Sequence, residues 1–141
     1  MKREIKFRGF SISCKKWMYG YVWIVPGVNL HYILTGKIDV KDCSIEKYAV
    51  YPESVGQFTG LKDKNGKEVY EGDIVKEQRR RFKDKYFAVK WNNDIGSYIF
   101  EPLDKSLKSY PCFNIGTVKG LEVIGNIYEN PELLEEWRWI I

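Results

Sequence analysis

Between Lys76 and Tyr86 the chain reads KEQRRRFKDKY, which sets Arg79, Arg80, Arg81, Lys83 and Lys85 beside two aromatic rings, Phe82 and Tyr86. Clustered cations release counterions from phosphates and neighbouring rings stack on bases, so this run is the best candidate for a nucleic-acid contact. The plainer account is a solvated hairpin tip whose charge Glu77 and Asp84 partly neutralise. Three carboxylates, Glu68, Glu71 and Asp73, gather a little earlier. Close carboxylates can share acid and base roles or hold a divalent cation. Their spacing matches no metal loop, and Asp73 is placed to cap its own turn.

His31 is the only histidine, so any Ser-His-Asp or Cys-His arrangement runs through it. It stands between Leu30 and Tyr32 in a strand pattern with no motif around it, which favours a structural imidazole. Gly56, Gly60, Gly66 and Gly72 recur without the context of a phosphate-binding loop and read as turn glycines. The three cysteines, Cys14, Cys43 and Cys112, are odd in number and far apart, with no C-x-x-C spacing, so neither a disulfide framework nor a zinc site is expected. No catalytic residue, cofactor or metal is assigned, and the chain reads as non-enzymatic.

The chain end carries Trp137, Trp139, Ile140 and Ile141, which is apolar for a segment that normally frays. These side chains call for burial. Burial against the chain's own fold is the simpler outcome, while burial in a symmetric neighbour would make the protein a homo-oligomer.

The elements that must position these residues are strands. Between Leu61 and Val69 lies Asp63-Lys64-Asn65-Gly66, and an Asn-Gly pair flanked by β-formers signals a hairpin in which both central residues adopt φ > 0. Phe58 and Thr59 then pair back against Val69 and Tyr70. Glu71-Gly72-Asp73 is a second turn, whose carboxylate can accept nearby backbone N–H groups before Ile74 and Val75 open the next strand. Before this meander, Ile5 to Ile12 reads as a bent strand with a bulge at Gly9, and Trp17 to Trp23 as its hairpin partner. Pro26-Gly27 is a turn, His31 to Val40 a strand broken at Gly36, and Tyr48 to Tyr51 an extended run ending in one helical turn from Pro52. Later, Tyr86 to Trp91 and Tyr98 to Phe100 form a hairpin around Asn92 to Gly96, and Leu121 to Ile127 is the closing strand. Asn130-Pro131-Glu132 starts a short C-terminal helix, with Asn130 as N-cap and Leu133, Leu134 and Trp137 on one face.

The stretch Thr59 to Val75, TGLKDKNGKEVYEGDIV, closely resembles the signature of the YopX-like family of phage and prophage proteins. Arg3 to Gly9, REIKFRG, and Glu122 to Leu134, EVIGNIYENPELL, match as well, so the resemblance runs from one end of the chain to the other. It implies an all-β protein with an SH3-like barrel in its second half, encoded by a mobile element or its bacterial host. It implies no particular activity. Val22 to Ala49 and the basic run follow no family pattern, and Ser54 stands where such proteins often carry Thr.

Composition sets the frame for these expectations. At 141 residues the chain has the length of one ordinary domain, which buries roughly two-thirds of its unfolded surface. Aromatics make up 16% of it, which suits pleated, half-buried surfaces. A net charge of +4 permits nucleic-acid contact without requiring it. The first ten residues alternate charge with apolar side chains, and Gly20, Pro26 and Gly27 interrupt the longest apolar stretch. Neither a signal peptide nor a membrane span is therefore expected, and a reducing cytoplasmic setting fits the cysteines. The expected architecture is a single domain over residues 1–141, with an N-terminal β segment (1–55) and an SH3-like barrel plus C-terminal helix (56–141). The expected role is a macromolecule-binding accessory protein of a phage or prophage, engaging a host or phage protein. The alternatives are nucleic-acid binding through Arg79 to Lys85 and a small enzyme using His31 or Asp73.

Overall fold

Apolar alternation between turn residues becomes ten antiparallel strands among the described residues, which in this computed structural model are 3–77, 85–103 and 120–135. The chain divides into two units, Met1–Phe58 and Thr59–Ile141.

In the first unit β1 (Phe7–Phe10), β2 (Trp17–Val25), β3 (Leu30–Asp39) and β4 (Ser44–Val50) form a sheet in the order β4-β3-β2-β1, and β5 (Gly56–Lys62) joins beside β1. A single 3₁₀ turn, Pro52–Ser54, leads into β5. The Ser54 hydroxyl fastens that turn by donating to the Tyr51 carbonyl at 2.6 Å and accepting the Phe10 N–H at 2.8 Å. A threonine hydroxyl could do the same.

No bulge occurs at Gly9. The pairing of β1 with β2 runs unbroken from Phe7↔Gly20 to Phe10↔Trp17. The glycine is there for space: a Cβ at this position would lie 2.8 Å from Val50 Cγ2. The register break falls instead in β3, between Leu34 and Ile38, where Gly36 takes a φ of 91°.

In the second unit β6 (Glu68–Tyr70) follows the turn after β5. A four-stranded sheet then runs in the order β10-β7-β8-β9, from β7 (Asp73–Glu77), β8 (Lys85–Asn92), β9 (Ser97–Pro102) and β10 (Leu121–Asn126). Among the described residues this sheet is open and does not close on itself.

Apolar clusters cover it on both sides. Val75, Phe87, Val89, Tyr98, Phe100, Leu121 and Val123 pack with Val69 on one face. Ile74, Ala88 and Leu103 pack on the other, under Ile127, Leu133 and Leu134. Burial on both faces explains why β7 is almost continuously buried where a half-buried strand would alternate.

The helix α1 (Glu132–Glu135) lies where the sequence places it and brings Leu133 and Leu134 onto the sheet. Its start differs from the expectation. Asn130 Oδ1 accepts the Asn126 N–H at 3.2 Å, and the Asn130 carbonyl, not its side chain, takes the N–H of Leu133.

Candidate functional site

Of the basic run, Arg79, Arg80, Arg81, Phe82 and Lys83 lie outside the described residues. Lys85 is described only as the backbone that opens β8. Tyr86 is half-buried on that strand, packs against the Ile74 cluster and holds the Lys76 ammonium 5.9 Å from its ring centre. Trp137, Trp139, Ile140 and Ile141 also lie outside the described residues, as does Cys112. Cys14 and Cys43 are exposed free thiols.

The three carboxylates do not converge on one point. Asp73 is buried and its Oδ2 accepts the Tyr70 N–H at 2.8 Å, so it fastens the turn as expected. Glu68 meets the Tyr70 hydroxyl at 3.5 Å. Glu71 is half-buried, and the loss of water around it raises its carboxyl above the ordinary value. Among the described residues no three His, Cys, Asp or Glu side chains are grouped to hold a metal ion.

His31 sits on β3 opposite Ile24 and Val50. Its Nδ1 is buried and meets no hydrogen-bonding group among the described residues.

What the fold does assemble is a row of aromatic rings on the first unit's sheet. Side chains at every second position of a strand share a face, so Trp17, Tyr19, Tyr21 and Trp23 of β2 project together. The register adds Tyr32 of β3 opposite Trp23, and Leu34 opposite Tyr21. From β4 it adds Lys47, opposite Leu34. The other face carries Ile33 and Val50, both essentially inaccessible, and is the core side.

On the aromatic face Tyr19, Tyr21 and Trp23 remain 47%, 61% and 46% exposed. Trp23 and Tyr32 stack with ring centres 5.5 Å apart and planes 25° from parallel. The Lys47 ammonium lies 5.8 Å from the first ring centre and 5.6 Å from the second, close enough for cation–π attraction. At the far end the Arg8 guanidinium rests 4.7 Å over Trp17, whose edge meets Phe10.

The positions of β1 to β4 that share this face include no carboxylate. Glu46 belongs to the opposite face, where it accepts from the Thr35 hydroxyl at 2.7 Å and from the Tyr48 hydroxyl. The Tyr48 bond first and the Thr35 bond second hold the Glu46 carboxyl below its ordinary value, and the bond to Glu46 holds the Tyr48 hydroxyl above its own.

The aromatic row is the feature that sequence reasoning missed. Its signal, W-x-Y-x-Y-x-W from Trp17, is visible in the sequence. Met18 and Val22 between them, and Ile24 after them, are apolar too, so the pattern does not say which set faces water.

No helix among the described residues is long and apolar enough to cross a membrane. The family model described as YopX protein matches residues 6–135 of this chain. The crystal structure of protein EF1440 from Enterococcus faecalis is similar at 27% sequence identity and a TM-score of 0.58, with 94% of this chain and 99% of that chain covered. No curated protein sequence matches.

Proposed function

The chain belongs to the YopX protein family, and on that premise we propose that it is a non-enzymatic accessory protein of a phage or prophage, binding a host or phage macromolecule through the aromatic face of its first unit. The observation that carries this is the exposure of Tyr19, Tyr21 and Trp23 side by side on one strand. Each half-exposed ring leaves on the order of 1 kcal/mol of burial unrealised in the chain's own fold. Rings of this kind supply large contact area at low entropic cost and are enriched where proteins bind partners.

Binding rather than turnover is also supported by the way Asp73 and Asp63 spend their carboxylate oxygens on backbone N–H groups. The second unit is read as an SH3-like element, supported by the family resemblance and by the antiparallel pairing of β7 with β8 and of β8 with β9. The exposed thiols of Cys14 and Cys43 suit action in a reducing cytoplasm.

The test is retention from bacterial lysate on the immobilised full chain, compared with a Tyr21→Ser, Trp23→Ser double variant shown by circular dichroism to keep its fold. Macromolecules held by the parent chain and lost from the double variant are the expected result. Equal retention by both, or none by either, would overturn the assignment.

A further inference from the structure

We propose that the macromolecule bound by the aromatic face is a single-stranded nucleic acid, with Tyr19, Tyr21, Trp23 and Tyr32 stacking its bases and Lys47 meeting its phosphate backbone. The proposal rests on the binding-module function above and names its partner by chemistry.

Spacing is the first reason. Alternate residues of a strand stand about 6.7 Å apart, roughly twice the rise of about 3.4 Å between stacked bases of one strand. Bases that lie on successive rings of β2 must therefore leave their own stack. A single strand does this readily, and a duplex must first be opened.

The second reason is charge. An ammonium group stands over the Trp23 and Tyr32 rings, and the strand positions that share the face bring no carboxylate to repel phosphate. Lys47 is the one exposed charged side chain that the described strand positions offer there, so the face presents a cation and π-surfaces and no acidic group. Stacking needs no directional partner, since every base has a π-face.

The third reason is that the rings are already placed. Trp23 and Tyr32 hold each other nearly parallel, and a platform ordered before binding loses less entropy when a base settles on it.

Fluorescence polarisation with labelled mixed-sequence single-stranded DNA, single-stranded RNA and the matching duplex, across about 50 to 200 mM salt, tests this on the full chain. Single strands should bind at least roughly tenfold more tightly than duplex, with affinity falling as salt rises. Tyr21→Ala and Trp23→Ala, substitutions at exposed positions, should each weaken binding by roughly five- to a hundred-fold, the range that loss of one stacked base implies. Lys47→Ala should weaken it less and reduce the salt slope by about one.

Absence of single-strand binding at low salt would overturn the proposal, and so would a preference for duplex. Binding that survives Tyr21→Ala and Trp23→Ala but disappears when Arg79, Arg80 and Arg81 are replaced by Ala would also overturn it, moving the contact to the basic run. If sedimentation shows a dimer that Trp23→Ser dissolves, with no nucleic acid bound, the face is an interface between copies and the proposal falls. Failure here with a protein still retained from lysate in a Trp23-dependent way would leave the binding-module function standing, whereas failure of both would remove both.

Discussion

The Asp63 carboxylate accepts the backbone N–H of Val123 at 3.0 Å, across sixty residues of chain. Its other oxygen takes the N–H groups of Asn65 and Lys67, at 2.8 and 2.9 Å. One buried side chain thus closes the turn of the central motif and ties it to the closing strand. Lys64, next in sequence, adds a backbone bond to the Leu121 carbonyl at 3.0 Å. Two family-matching segments far apart in sequence therefore meet at one residue.

Asparagine is close to aspartate in shape, yet Asp63→Asn should still destabilise the chain. The carboxylate's three partners, the N–H groups of Val123, Asn65 and Lys67, are all donors, and an amide would point its NH₂ group at one of them. Hydrogen bonds to a charged group are worth about 1.5–3 kcal/mol each, with buried donors costly to leave unmet. Asp63→Asn should cost about 2 kcal/mol and Asp63→Ala about 3 kcal/mol or more, read from urea unfolding midpoints. Equal stability of parent and Asn variant would show the carboxylate to be dispensable.

Gly9 and Gly20 make a second comparison. A Cβ on Gly9 would meet only the Val50 side chain, at 2.8 Å from Cγ2, whereas one on Gly20 would meet the Leu34 carbonyl oxygen at 2.0 Å. A side chain can be trimmed and a backbone carbonyl cannot. Gly9→Ala should cost about 1–3 kcal/mol by overpacking. Combined with Val50→Ala it should cost less than the sum of the two singles, by about 1 kcal/mol. Gly20→Ala should resist rescue by any side-chain truncation on β3, because the obstacle is the pairing of β2 with β3. Additive behaviour of Gly9→Ala with Val50→Ala, measured by the same unfolding curves, would contradict the close approach.

What the sequence disclosed follows the range of the forces involved. Turns are local, so Asp63 to Gly66, Glu71 to Asp73 and Asn92 to Gly96 were legible from residue type alone. Even there the means differ: Gly66 has a φ of 80° while Asn65 does not enter the left-handed region, because Asp63 holds the turn through Asn65 and Lys67 N–H. Register is non-local, which is why Gly9 reads as a bulge in sequence and is a contact in the fold. The side of β2 that faces water was not legible, because both its alternating sets are apolar and period two then loses its inside–outside contrast. Of the residues picked out as a nucleic-acid site, only Tyr86 is described with its side chain, so that choice rests on sequence.

Exposure and stability should separate on the aromatic face. Tyr21→Ala removes a ring that is 61% exposed and should change the unfolding free energy by no more than about 0.5 kcal/mol, as is usual for surface substitutions. Ile33→Ala, on the neighbouring strand but on the buried face, should cost about 2–5 kcal/mol. A large loss from Tyr21→Ala would place that ring in the core and remove the physical ground for a binding face.

Two glutamates should respond to pH with opposite signs. Burial raises the Glu71 carboxyl above its ordinary 4.5, so the folded state holds its proton more tightly than the unfolded state. Stability then falls as pH rises through the window from 4.5 up to the raised value, and the cost is present in full above that value. Hydrogen bonds from Tyr48 and Thr35 lower the Glu46 carboxyl below 4.5, so its contribution is present above 4.5 and lost as pH falls through the lowered folded value. At pH 7 Glu71→Gln should therefore raise the unfolding midpoint and Glu46→Gln should lower it. Both differences should shrink on acidification, Glu71's first, because its window lies above 4.5 and Glu46's below it. Thermal unfolding of the parent and both variants from about pH 7 to about pH 3 spans the two windows. A Glu71→Gln chain that is less stable than the parent at neutral pH would mean that the ionised carboxylate has a partner that outweighs its burial.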